Sequence, residues 1–115
     1  MRLWLGIAAV NGALAVAAGA FGAHSLRAIL SPDMLSVFET GARYHMYHAL
    51  AMGLAALAGA RWSPSLLLAG IVLFSGSLSL LALSGLKWLG MVTPLGGAFF
   101  LAGWICLAIS SFRKS

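Results

Sequence analysis

Three prolines divide this chain, and each follows a hydroxyl residue: Ser31-Pro32, Ser63-Pro64 and Thr93-Pro94. A hydroxyl at the N-cap accepts an orphan backbone N–H, and a proline in the first turn has none to waste. Each proline therefore opens a helix and none interrupts one. The helices so marked run from about Leu3 to His24, Pro32 to Ala60, Pro64 to Leu86 and Pro94 to Phe112, in a single domain of 115 residues. Gly22, Gly59 and Gly85 fall near three of the ends, where a C-terminal glycine is expected.

Composition decides the solvent. Hydrophobic residues make up 62% of the chain and charged residues 8%, where soluble domains carry about 25% charged. No core of this size absorbs such a surplus. At roughly 20 residues per crossing, the expected fold is an all-α integral membrane protein, an antiparallel four-transmembrane-helix bundle. Arg2, the apolar run Leu3–Ala17 and Ala18-Gly19-Ala20 imitate a signal peptide. Removing them would leave a three-helix remnant, so the segment is read as the first crossing.

The second helix exceeds the hydrocarbon: Pro32 to Ala60 would reach about 43 Å against a core of about 30 Å. Its purely apolar part begins after His48, so Asp33, Glu39 and Arg43 should lie in the headgroup layer. Asp33 also suits the positive end of the helix dipole. Trp4 and Trp62 would mark one interface and Trp88 the other. Counting cations favours both termini in the cytoplasm, with Arg2, Arg61, Arg113 and Lys114 inside against Arg27, Arg43 and Lys87 outside. A cell membrane is the expected location.

Small residues mark packing faces: Ala8, Gly12, Ala15, Gly19 and Gly22 on the first helix, Gly70, Ser77 and Ser84 on the third, and Gly96, Gly103 and Ser110 on the fourth. Within lipid, helices associate by close backbone approach across such stripes. On the second helix Tyr44, His48, Ala51 and Ala55 share a face opposite Leu50, Leu54 and Leu57, which places His48 inward. A tight, closed bundle follows.

The unusual chemistry collects in one stretch, Glu39 to Leu50, with two of the three histidines and both tyrosines. Fourfold threading puts His24, Tyr44, His48, Ser79, Ser84 and Thr93 in one leaflet half. An intramembrane ionisable group is a functional-site hypothesis by default. His48 is either a neutral imidazole bonded to helix one or helix three, with His24 within about 10 Å along the shared leaflet half, or a ligand-binding or proton-handling group. Metal or haem ligation would need His24 and His45 as well, and His45 points off that face. Glu39 and Arg43 are spaced as a helical ion pair. Serines at Ser75, Ser77, Ser79 and Ser84 bond to their own carbonyls or line a polar path.

Several classes are excluded. Seven scattered Lys and Arg, giving a net charge of +5, form no nucleic-acid patch. The single Cys106 forms no intrachain disulfide. No G-x-S-x-G elbow, phosphate loop or paired buried carboxylate is present, so no catalytic residue, metal or cofactor is expected. The leading expectation is a non-enzymatic module binding a hydrophobic small molecule, a lipid or a partner subunit at the His24/Tyr44/His48 end, with Glu39, Arg43, Ser79, Ser84 and Thr93 around it. The alternative is an oligomeric proton-coupled carrier or pore using Glu39 and His48.

Four blocks carry a resemblance: Gly19 through His24, Glu39-Thr40-Gly41 through Tyr44 and His48-Ala49-Leu50, Leu73 through Gly85, and Thr93 through Gly97 with Gly103-Trp104. Together they resemble the domain of unknown function 423, small bacterial inner-membrane proteins with relatives in the animal transmembrane protein 256 group. The resemblance implies a four-helix membrane protein and no particular activity. Ser79 departs from it, standing where many relatives carry an aromatic, which implies a wider gap near helix three.

Overall fold

The Ser31 hydroxyl accepts the Met34 N–H at 3.2 Å, and with Pro32 in the first turn it starts a helix as the sequence requires. The other two hydroxyls are used differently. Ser63 is the first residue of its helix, is fully buried, and donates to the Gly103 carbonyl of the last helix at 2.7 Å. Thr93 opens the last helix with its Oγ1 2.6 Å from Ser77 Oγ. Inside lipid a hydroxyl has no water to turn to, and tying two helices together satisfies it better than capping one.

The computed structural model describes residues 2–114, the side chains of Ala23 and Lys114 excepted. Lys114 in the charge count and Ala23 in the first resemblance block thus lie outside the described side chains. The elements are α1 (Arg2–His24), α2 (Pro32–Leu57), α3 (Ser63–Gly70), a π-helical turn (Ile71–Ser75), α4 (Gly76–Ser84), a 3₁₀ turn (Lys87–Met91) and α5 (Thr93–Lys114). Helix α3, the π turn and α4 are continuous and form one rod. Among the described residues there is no strand.

α2 stops short of Ala60. The chain leaves the helix at Ala58 and turns through Gly59 at φ 72°, while Gly85 at φ 75° caps α4. Both conformations are left-handed, where a Cβ costs about 1–2 kcal/mol. Gly22 ends nothing: it lies inside α1, with the Phe38 ring where its side chain would stand.

α2 lies between α1 and the α3–α4 rod, and α5 packs against that rod. α1 makes no substantial contact with the rod or with α5. The molecule is consequently a slab, 50 × 26 × 18 Å, and the expected closed bundle is open along one side. Ala8, Ala51, Met52, Leu67, Ile71 and Phe100 form the main core. α5 and the rod approach closely where Gly96 faces the Phe74 backbone.

The Leu50, Leu54 and Leu57 arc is exposed, and large apolar side chains cover much of the remaining surface. Three helical stretches are long and apolar enough to cross a membrane: Arg2–Gly22, Ser63–Ser84 and Lys87–Arg113. α2 is not among them, because the polar residues between Asp33 and His48 dilute it.

Candidate functional site

One turn of α2 offers imidazoles to two different neighbours. His45 Nε2 lies 2.9 Å from Asn11 Oδ1 on α1. Asn11 Nδ2 donates to the Ile7 carbonyl, so the amide oxygen faces the ring and Nε2 is the donor. His48 turns the other way. Its ring stacks on Phe100 of α5, with centroids 3.5 Å apart and planes 7° from parallel. Its Nδ1 donates back to the Tyr44 carbonyl at 2.7 Å. Trp104 meets the imidazole edge-on at 6.0 Å, and Phe74 fills the space between Tyr44 and Phe100.

The expected bond from His48 to helix one or helix three is therefore replaced by one within its own helix. The carbonyl four residues back is in reach, and the ring is packed against Phe100 and Trp104 of α5. The interhelical hydrogen bond belongs to His45, which the sequence reading set aside. A usable signal was Asn11, the one asparagine in the chain. It lies within an apolar helix, where an amide must find a partner.

His24 does not join His48. Gly22 packs against Phe38, and ten residues of α2 separate Phe38 from His48, about 15 Å along the axis. The remaining candidates also disperse. Arg43 Nη2 donates to Thr40 Oγ1 at 3.3 Å and forms no ion pair with Glu39. Glu39 and Arg43 line a groove of about 400 Å³ between α1 and α2. Ser84 bonds the Leu80 carbonyl and accepts the Leu86 N–H, closing the end of α4. Thr93 Oγ1 and Ser77 Oγ are hydrogen-bonded to each other, with the Phe74 carbonyl in reach of Ser77 and the Leu89 carbonyl in reach of Thr93.

What the structure does bring together is a crevice of about 420 Å³ between α1 and the rod, floored by α2. Asn11, Gly41, His45, Ser75 and Ser79 line it among apolar residues. It exists because Gly41 lets the rod approach α2 at Ser75 and Leu78, while α1 packs mainly on α2 and stands off from the rod. The wall at Ile71–Ser75 is the π turn, a distortion that often marks functional sites. Ser75 is only 4% exposed, and its Oγ is the one buried side-chain polar atom without a hydrogen-bond partner among the described residues. Among the described residues no group of three His, Cys, Asp or Glu side chains gathers to hold a metal.

The family model described as protein of unknown function (DUF423) matches residues 18–97. A UPF0382 membrane protein of Staphylococcus aureus is 42% identical over 119 residues, covering 98% of both chains. The UPF0382 membrane protein YwdK of Bacillus subtilis is 40% identical over 124 residues, again covering 98% of each. A UPF0382 membrane protein of Staphylococcus saprophyticus is 41% identical over 119 residues, covering 98% of this chain and 99% of its own. No solved structure matches the chain.

Proposed function

The chain belongs to the DUF423 family, whose UPF0382 relatives are membrane proteins of unknown function, and from that premise we propose that it is a non-enzymatic module of the inner membrane that holds a lipophilic small molecule or lipid in the crevice between α1 and the α3–α4 rod. The observation that carries this reading is the crevice itself, apolar but for Asn11, His45, Ser75 and Ser79 and walled by the π turn. The His45–Asn11 bond ties the α1 wall to the α2 floor.

This reading moves the site from the His24/Tyr44/His48 end, where His48 is buried under Phe100, to the crevice. We further read α2 as a fourth crossing, with both termini cytoplasmic. It lies along the whole of α1, from Phe38 against Gly22 to Gly53 beside Leu5 and Ala8. A helix in register with a spanning partner from end to end spans with it.

Native mass spectrometry of gently extracted protein tests the crevice. A retained lipophilic mass is expected in the wild type and lost in Ser79→Phe, which fills the crevice. A wild type that carries nothing, or a Ser79→Phe protein that retains its ligand, overturns the reading.

A further inference from the structure

A corner of about 410 Å³ opens at the end of the molecule away from the start of α2, lined by Arg61, Trp62, Cys106, Ile109, Ser110 and Arg113. It is formed where the turn between α2 and α3 meets the last turns of α5. The Ser63–Gly103 hydrogen bond fixes α5 against the start of the rod. From Gly103, α5 continues to Arg113, about 15 Å further. The corner therefore sits at the end of the rods, where a tryptophan such as Trp62 marks headgroup depth.

Two of the seven cations in the chain face this one space. The Arg61 guanidinium carbon lies 5.2 Å from the Trp62 ring centroid, which steadies it at the mouth. Both acids, Asp33 and Glu39, are in the first third of α2, and Glu39 is separated from Leu57 by about 27 Å of helix. Among the described residues no carboxylate pairs with either arginine. Like charges sharing a concavity repel, and the arrangement is relieved by an anion between them.

We propose that this corner binds the phosphate of an anionic lipid headgroup, clamped between Arg61 and Arg113. Guanidinium forks match phosphate oxygens in pairs, and basic pockets between membrane helices take such headgroups. Ser110 offers a neutral hydroxyl at the same mouth, and Ile109 and Cys106 present apolar wall for the start of an acyl chain. That wall favours a lipid phosphate over a soluble one. The site is separate from the crevice, and neither proposal depends on the other.

The purified full chain is titrated with dioleoylphosphatidylglycerol, with dioleoylphosphatidylcholine and with inorganic phosphate, and adducts are read by native mass spectrometry. Phosphatidylglycerol should be preferred over phosphatidylcholine by about tenfold, as expected of two charge-assisted contacts. The double variant Arg61→Gln/Arg113→Gln should lose that preference while keeping the wild-type unfolding temperature. Arg27→Gln/Lys87→Gln removes the same charge elsewhere and should keep the preference. An undiminished preference in the first double variant, an equal loss in the second, or no preference in the wild type overturns the proposal. Displacement of the lipid by millimolar inorganic phosphate assigns the corner to soluble phosphate and overturns the lipid assignment.

Discussion

The imidazole of His48 lies flat on the Phe100 ring, 3.5 Å between centroids, and among the described residues hydrogen-bonds no polar atom outside its own helix. Its contribution to stability is thus mainly that of a flat ring filling the junction of α2 and α5. His48→Phe should cost less than about 1 kcal/mol, since an aromatic pair replaces an aromatic pair. His48→Ala, which empties the space, should cost on the order of 2–4 kcal/mol. Reversible unfolding in mixed micelles measures both. Equal losses for the two variants would show that the hydrogen bond, not the stacking, matters.

Asn11 and His45 form the one side-chain hydrogen bond seen between α1 and α2 among the described residues. Intramembrane pairs of this kind couple by about 0.6 kcal/mol on average and rarely above about 1.7 kcal/mol. A double-mutant cycle with Asn11→Ala and His45→Ala should return a coupling within that range. A coupling indistinguishable from zero would mean that the small-residue contacts alone hold α1 in place.

Residues at a fixed period were readable, and residues whose role depends on a partner were not. Spacing alone turns Ala51 and Ala55 inward and Leu50, Leu54 and Leu57 outward, and the structure has them so. The hydroxyl–proline pairs located three helix starts to within a residue, yet only Ser31 caps, because the roles of Ser63 and Thr93 depend on Gly103 and Ser77 lying across from them. His45 and His48 look alike in sequence. Which one meets an amide and which a phenyl ring follows from the rotation of α2 between two neighbours. The π turn left no mark in the sequence: Ile71–Ser75 reads as ordinary helix, and the crevice beside it was hinted at only by the small Ser79.

Gly96 and Gly97 are adjacent, but their environments differ. A Cβ on Gly96 would fall onto the Phe74 backbone, whereas one on Gly97 would meet nothing within 4 Å. Gly96→Ala must push α5 off the rod and should cost on the order of 1–3 kcal/mol. Gly97→Ala should be neutral, or stabilising by up to about 1 kcal/mol through helix propensity. Thermal unfolding of the two single variants compares them directly. Equal behaviour would mean that the rods are further apart than Gly96 and Phe74 indicate.

The least apolar helix also makes the sharpest prediction. The turn after α2 has five residues, Ala58 to Trp62, and reaches at most about 18 Å when fully extended, well short of the roughly 30 Å hydrocarbon core. If α1 and the α3–α4 rod cross the membrane, the packing of α2 along α1 carries it across as well. In a Cys106→Ala background, Ser31→Cys and Leu86→Cys should then react with a membrane-impermeant maleimide from one face, and Trp62→Cys and Ser111→Cys from the other. With cytoplasmic termini, the first pair labels in intact cells and the second only after lysis. A three-crossing arrangement with α2 lying on the surface would instead place Ser31 and Trp62 together and Leu86 opposite them. Labelling of Ser31→Cys and Trp62→Cys from the same face therefore excludes the four-crossing reading.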